Sequence, residues 1–298
     1  MKKVLSSVFA ALTLSGSSYA ISDLQACINQ FNAGNYQMAV QYGKKAVREY
    51  PNNPVAYFCL GKAYAKTGQL NKAIDNFKKA SEYDSNDYDL MWIYAWLGTE
   101  YNEKGDYSNA FFYGSKSLKL AEQFGNVDAE KDDLDNIASI FQNEGNGSKA
   151  LEYYKKALKL ENGKSETGAI YNNIATIYSD MHNFRKAIDY FKKAINVAEE
   201  HGHYLDSGKW MLNLGDTYCQ MKDYKDAKLY LKKGFERVKK IGNKYWEGTG
   251  YRYLGWYYQD IGNKVLAKKY LMKALDIFRA IGDDRHASMV LKDLSSIR

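Results

Sequence analysis

The chain has 298 residues, a formal net charge of +7 and two prolines; hydrophobic residues make up 45% and charged residues 26% of it. This balance is typical of globular chains and argues against a disordered or a collagen-like protein. Little proline among so many Lys, Ala, Leu and Tyr predicts a largely helical fold. Three cysteines are too few for a disulfide scaffold, and no apolar run is long enough for a permanent membrane span.

The first twenty residues have the layout of a secretory signal peptide. Lys2 and Lys3 form a positive segment, Val4–Leu14 is mostly apolar, and the segment ends in the small residues of Ser18-Tyr19-Ala20. We therefore expect cleavage after Ala20 and a periplasmic or secreted protein. Removal of the two lysines would lower the net charge from +7 to +5.

A repeated pattern follows, for which residues 54–85 serve as the template. Apolar and small residues stand at positions 4, 7, 8, 11, 15, 17, 20, 24 and 27 of this unit: Tyr57, Leu60, Gly61, Tyr64, Gly68, Leu70, Ala73, Phe77 and Ala80. Position 20, where two helices would touch, recurs seven times at spacings of 34 to 40 residues: Ala39, Ala73, Ala110, Ala150, Ala187, Ala227 and Ala267. One unit cannot bury its own apolar faces, so the units must stack.

These residues resemble the tetratricopeptide repeat (TPR) signature, and the resemblance covers residues 21–298. It implies an all-α, right-handed superhelical solenoid of antiparallel helix pairs, with a helix A and a helix B in each repeat. Seven repeats are expected at 21–53, 54–90, 91–130, 131–167, 168–207, 208–247 and 248–283, followed by a capping helix at 284–298. The longer repeats resemble the kinesin-light-chain type, and their second helices are expected to stop at Gly125, Gly202, Gly242 and Gly282.

The capping helix continues the pattern of the repeats. It places Leu291 and Leu294 at positions 4 and 7, which are core positions, and it leaves Lys292, Asp293 and Ser296 on the exposed side.

Neither a catalytic constellation nor a metal or cofactor site emerges from the sequence, so we expect a protein that is not an enzyme. His201 and His203 flank a glycine at a helix end, whereas zinc needs three or four ligands at set spacings. Gly248-Thr249-Gly250 falls at the start of a helix with no strand before it, which argues against dinucleotide binding.

The cysteines leave several alternatives open. Cys27 and Cys59 lie in neighbouring repeats and could pair in an oxidising compartment, or remain separate, while Cys219 would stay a free thiol. A lipoprotein signal ending at Cys27 is a weaker alternative, because residues 15–23 separate this cysteine from the apolar stretch.

Lysine pairs recur at positions 25 and 26 of helix B. Their two interpretations are a solvated helix face, which we favour, and a surface for acidic partners or nucleic acid. The pairs are Lys44-Lys45, Lys78-Lys79, Lys155-Lys156, Lys192-Lys193 and Lys232-Lys233.

The TPR resemblance places helix A positions 2, 5, 6, 9 and 12 on the concave side of the superhelix. Position 6 holds three consecutive asparagines, which the resemblance implies would hold the backbone of an extended peptide: Asn136, Asn173 and Asn213. Position 9 adds Ser139, Thr176 and Asp216, and aromatic residues flank this polar stretch: Trp92 and Trp96 in the third repeat, Tyr253 and Trp256 in the seventh. Asp132 and Asp135 favour a basic ligand side chain at the fourth repeat. The alternative is that these are ordinary exposed polar residues and packing tryptophans.

The leading hypothesis is an exported scaffold that binds a protein or an extended peptide segment in its groove, for the assembly or localisation of an envelope complex. It involves no cofactor, no nucleic acid and no membrane span. The alternatives are a self-associating structural protein and a peptide-sensing receptor that lacks its own effector domain. The sequence leaves the partner, the pathway and the oligomeric state open.

Overall fold

The computed structural model describes residues 20–160 and 167–297. The predicted signal peptide lies outside these residues, apart from Ala20, which begins the first helix. The described chain contains fifteen helices: α1 (Ala20–Asn32), α2 (Tyr36–Glu49), α3 (Pro54–Lys66), α4 (Leu70–Tyr83), α5 (Asp87–Lys104), α6 (Tyr107–Gln123), α7 (Val127–Asn143), α8 (Gly147–Leu160), α9 (Thr167–Asp180), α10 (Phe184–Glu200), α11 (Tyr204–Gln220), α12 (Tyr224–Ile241), α13 (Lys244–Asp260), α14 (Lys264–Ala280) and α15 (Asp284–Ser296). None of them is both long and apolar enough to cross a membrane.

The chain divides into an N-terminal half, residues 20–144 with α1–α7, and a C-terminal half, residues 145–297 with α8–α15. Within each half, successive helices pack against each other. Alternate helices also touch, as α5 does with α7 and α11 with α13, so the A helices of successive repeats form a continuous layer within each half. The predicted all-α solenoid of stacked helix pairs is confirmed.

The small residues of the pattern lie where helices approach most closely. All seven alanines at position 20 are fully buried. A Cβ atom on Gly98 would lie 3.1 Å from the backbone nitrogen of Gly114, and one on Gly215 would lie 2.7 Å from the side chain of Leu231. Helices A and B of a repeat can therefore approach each other this closely only because the residue at position 8 has a small side chain or none.

In the third, fifth, sixth and seventh repeats the aromatic residue at position 11 stacks on a tyrosine at position 23 of the same repeat. The pairs have ring centroids 5.2–5.7 Å apart: Tyr101 and Tyr113, Tyr178 and Tyr190, Tyr218 and Tyr230, Tyr258 and Tyr270. This contact extends the packing of each helix pair beyond the apolar core.

The extra residues of the long repeats extend helix A at its N-terminus and helix B at its C-terminus. Helices α5, α7, α11 and α13 begin at residues 87, 127, 204 and 244, four residues before the predicted repeat starts. The second helices stop as expected, because Gly125, Gly202, Gly242 and Gly282 all have positive φ.

The turn between helices A and B needs a left-handed residue at position 15. Five repeats use glycine there, whereas His182 and Lys222 adopt φ values of 56° and 62° in the fifth and sixth repeats. A side chain in this conformation is strained, so these two turns have a free-energy cost that the glycine turns avoid.

Helix α15 forms the expected cap, but two of its residues differ from the prediction. Leu291 is 45% exposed, because position 4 faces the helix B of its own repeat and no such helix follows α15 in the described chain. Asp293, predicted to be exposed, is partly buried and accepts a hydrogen bond from Arg252. The buried residues are instead Ala287, Val290 and Ile297.

A disulfide joins Cys27 on α1 to Cys59 on α3, with the two Cα atoms 6.5 Å apart. Both cysteines are buried, so the covalent bond ties the first A helix to the second inside the core. Cys219 is a free, buried thiol, and burial raises its pKa to about 12. A thiol with so high a pKa is unreactive near neutral pH.

Candidate partner-binding face

The predicted groove residues of the N-terminal half lie on two A helices that touch each other. Trp92 and Trp96 are on α5, Asn136 and Ser139 are on α7, and all four are partly buried. The ring of Trp96 lies against Phe77, with centroids 5.7 Å apart, so part of this tryptophan packs against the preceding repeat.

Two polar atoms of this surface lack a hydrogen-bond partner. The indole nitrogen Nε1 of Trp92 and the carboxylate oxygen Oδ1 of Asp135 are both buried and unsatisfied. Burial, aided by Asp132, raises the pKa of Asp135 to about 6. The fourth repeat therefore loses part of its negative charge in mildly acidic solution, and its predicted preference for a basic ligand weakens there.

In the C-terminal half a continuous chain of hydrogen bonds crosses three A helices. The Tyr253 hydroxyl on α13 donates to Asn213 Oδ1 on α11 over 3.4 Å, and Asn213 Nδ2 donates to Asn172 Oδ1 on α9 over 3.1 Å. Asn172 Nδ2 in turn donates to Asn173 Oδ1 over 3.3 Å. The structure thus brings three predicted residues, Asn173, Asn213 and Tyr253, into one polar chain, and it adds Asn172.

This chain leaves hydrogen-bonding capacity unused. An amide side chain can donate twice and accept twice, and Asn213 uses one donor and one acceptor within the protein. One donor and one acceptor remain, which is what a single peptide group requires. Thr176 differs, because its hydroxyl donates to the backbone carbonyl of Asn172 over 3.0 Å and remains available only as an acceptor.

The aromatic end of the predicted site is braced by the capping helix. Tyr253 and Trp256 stack with centroids 5.3 Å apart, and the Arg252 guanidinium lies 4.5 Å from the Trp256 ring. Arg252 Nε donates to Asp293 Oδ2 on α15 over 2.6 Å. Neither Arg252 nor Asp293 was identified from the sequence as part of the site. The pair could have been identified from the sequence, because the two residues have opposite charges and stand 41 residues apart in adjacent A helices.

Asp216 interacts electrostatically with two other carboxylates of the C-terminal half, Asp180 and Asp260. Burial raises its pKa, a hydrogen bond from Gln220 Nε2 at 2.9 Å opposes this change, and Asp260 and Asp180 raise the pKa further. Among the described residues no lysine or arginine forms an ion pair with any of the three carboxylates. This stretch of the face is therefore acidic in a protein that is basic as a whole.

The features that the sequence analysis set aside have structural explanations. Gly248 lies inside α13, where a Cβ would come within 3.1 Å of the Phe278 ring, so it is a packing glycine. His201 contacts the backbone carbonyl of Val197 through Nδ1 at 2.9 Å. In the part of the chain that the structure describes, no group of His, Cys, Asp and Glu side chains has an arrangement that could hold a metal ion.

Several of the paired lysines extend over tyrosine rings of the protein itself. Lys193 Nζ lies 4.9 Å from the centroid of Tyr190, and Lys79 Nζ lies 5.4 Å from that of Tyr57. Such cation–π contacts support the interpretation of these lysines as the solvated face of helix B.

Comparison with known proteins agrees with the pattern of stacked helix pairs. Tetratricopeptide repeat models match residues 133–200 and 206–280, and another matches residues 42–75, which together make up more than half of the chain. The chain belongs to the tetratricopeptide repeat family. No curated protein sequence matches this TPR protein significantly.

Solved structures similar to this TPR protein include several helical-repeat proteins. The apo form of the quorum sensor NprR from B. thuringiensis has 12% identity and a TM-score of 0.68, over 98% of this chain and 90% of that one. A Rap protein complexed with competence and sporulation factor has 16% identity and a TM-score of 0.61, over 97% and 89%. BtubC (BKLC) from P. vanneervenii has 19% identity and a TM-score of 0.59, over 72% and 90%. At these identities the similarity establishes the fold.

Proposed function

We propose that this protein is an exported TPR scaffold that binds an extended segment of a partner protein along the face of its A helices. Binding would serve the assembly or localisation of an envelope complex. The protein acts without a cofactor and is not an enzyme, and its partner is a polypeptide rather than a nucleic acid.

The polar chain from Tyr253 to Asn173 is the observation that carries this proposal. Asn213 is oriented by hydrogen bonds on both sides and keeps one donor and one acceptor free. A side chain whose orientation is already fixed loses little entropy when it binds a peptide group. Each hydrogen bond contributes only about 0.5–1.5 kcal/mol, so Tyr253 and Trp256 must supply much of the affinity as apolar anchors.

The charges on the same face narrow the class of partner. Asp180, Asp216 and Asp260 carry no lysine or arginine partner among the described residues, so a ligand with basic side chains would compensate them. We therefore expect a partner segment with at least one lysine or arginine near Asp216.

Export is supported by two independent features. The N-terminal segment has the layout of a signal peptide, with expected cleavage after Ala20. The buried disulfide between Cys27 and Cys59 lies outside that segment, and disulfides persist in oxidising compartments such as the periplasm.

The similar structures support a binding role over self-association. They include a quorum sensor and a Rap protein in complex with competence and sporulation factor, so this fold presents a binding surface in other proteins. A self-associating structural protein remains the second candidate.

The test is a cross-linked pull-down from the envelope fraction, with captured proteins identified by mass spectrometry. The baits are the wild-type protein, an Asn136→Ala, Asn173→Ala, Asn213→Ala triple variant, and a control in which Lys232 and Lys233 on helix B are replaced by alanine. Circular dichroism confirms that the three baits have equal helicity.

We expect one partner to be captured by the wild type and the lysine control and to be lost with the asparagine variant. Equal capture by all three baits would refute binding at this face. If the baits capture only further copies of this same protein, the result would favour self-association.

A further inference from the structure

One polar pair interrupts the buried core at two positions where most other repeats have apolar or small residues. Asp133 stands at position 3, which holds Ser22 in the first repeat and, in the other repeats and the cap, Ala56, Ile93, Ile170, Trp210, Gly250 and Val290. Ser117 stands at position 27, which elsewhere holds Ala46, Ala80, Ala157, Ala194, Gly234 and Ala274. Ser117 contacts both the helix A of its own repeat and the next helix A, so the two exceptions in the pattern meet each other.

The two side chains link three helices of the N-terminal half. Ser117 Oγ on α6 lies 2.7 Å from Asp133 Oδ2 on α7 and 2.9 Å from the backbone carbonyl oxygen of Met91 on α5. Asp133 and Ser117 are 2% and 1% exposed, so water does not substitute for either contact. An ionised carboxylate at this depth is costly unless it is well compensated.

The hydroxyl of Ser117 has a single proton and two acceptors within reach. It cannot donate to the Asp133 carboxylate and to the Met91 carbonyl at the same time. If Asp133 is protonated, it donates to Ser117, and Ser117 is free to donate to Met91, so both short contacts are hydrogen bonds. If Asp133 is ionised, Ser117 donates its single hydrogen bond to the carboxylate, and the contact between Ser117 and the Met91 carbonyl has no proton.

The surroundings of Asp133 favour the protonated form. Burial raises its pKa to about 7, the hydrogen bond from Ser117 opposes this, and Asp132 on the same helix raises the pKa further. Helices α5 and α6 face the carboxyl group with Met91 and Ser117, neither of which ionises. Among the described residues, no lysine or arginine lowers the pKa of Asp133 by compensating its charge.

We propose that Asp133 and Ser117 form a pH-dependent latch between α5, α6 and α7. In the closed state the protonated carboxyl group donates to Ser117 and Ser117 donates to Met91, which joins the three helices. In the open state the carboxylate accepts a hydrogen bond from Ser117, and α5 loses the hydrogen bond that Ser117 donates to the Met91 carbonyl. Met91 is followed directly by Trp92, so the latch acts beside the candidate partner-binding face. An exported protein meets the pH of its surroundings and would use such a latch to adjust that face.

The latch is tested by NMR on the purified protein labelled with ¹³C-aspartate and, separately, with ¹⁵N. The carboxyl signal of Asp133 is assigned by its loss in an Asp133→Asn variant. The amide side chain introduced by this substitution is a neutral donor at every pH, so the variant mimics the closed state. A Ser117→Ala variant keeps the carboxyl group and removes the link to Met91.

We expect the Asp133 signal to titrate near pH 7 and the amide signals around Met91 to change with the same midpoint. In Asp133→Asn these amide signals should stay at their low-pH values. In Ser117→Ala the carboxyl midpoint should rise, because the ionised form loses its donor, while the amide signals around Met91 should no longer follow it. A wild-type midpoint below about 5, or an unchanged amide titration in either variant, would overturn the proposal. If Ser117→Ala fails to fold, the wild-type titration and the Asp133→Asn variant still decide the question; if Asp133→Asn fails to fold, the titration of the amide signals around Met91 in the wild type and in Ser117→Ala decides it.

Discussion

The disulfide gives the sharpest prediction for stability. Replacing Cys27 and Cys59 by alanine removes a cross-link between residues 32 apart in the sequence. With a loop of that length, the chain-entropy relation gives a loss of about 3.7 kcal/mol in the free energy of unfolding. Burial of both sulfurs adds a small packing cost when they are replaced by alanine methyl groups.

The loss should be confined to the first helices of the chain. In a repeat array each helix pair is stabilised mainly by its neighbours, so removing the cross-link loosens α1 and α2 first. Hydrogen exchange of the oxidised protein, the reduced protein and the double variant measures this directly. We expect protection in α1–α3 to fall on reduction and in the variant, with protection in α11–α14 unchanged.

A matched control is Cys219→Ala, which removes a buried thiol without opening a cross-link. It should leave protection in α1–α3 as in the wild type. The reasoning would be refuted by equal protection of α1–α3 in oxidised and reduced protein, or by three free thiols in protein recovered from an oxidising compartment.

Two further predictions concern the core. Gly215→Ala should lower the stability of α11 and α12 by about 1–3 kcal/mol, because the added Cβ would lie 2.7 Å from the Leu231 side chain. Thermal unfolding measures this loss, and an unchanged Tm would contradict the prediction. Glu100 is 3% exposed with one unsatisfied oxygen, and burial raises its pKa from 4.5 to about 7. The folded state therefore loses stability as pH rises from about 4.5 to 7, by at most about 3 kcal/mol. Glu100→Gln should unfold at higher urea than the wild type at pH 8 and at nearly equal urea at pH 4.5; equal midpoints at both pH values would contradict this.

The sequence predicted those features that depend on a single repeat. The alanines at position 20 are buried and the glycines at the ends of the long helices have positive φ, because each depends on local geometry that recurs in every repeat. The prediction that Leu291 is buried was wrong, because its burial depends on a neighbouring helix. Its position is buried only when a helix B follows, and the described chain has none after α15.

The candidate site was predicted less completely, because it depends on contacts between repeats. Asn173 and Asn213 were singled out, but their link through Asn172 requires the offset between adjacent A helices, which brings together residues 41 apart. The pair of Asp133 and Ser117 could have been found by comparing the repeats, since both are polar at positions that are apolar or small in most other repeats.

The turns at His182 and Lys222 bear on the order in which the C-terminal half unfolds. A residue other than glycine in the left-handed region stores strain of order 1–2 kcal/mol, and a glycine turn stores none. A strained turn lowers the free energy needed to unfold its helix pair locally. The pairs α9–α10 and α11–α12 should therefore open before α13–α14, whose turn contains Gly262. The C-terminal half would then come apart from its middle, leaving the last helix pair and its cap as the longest-lived folded segment.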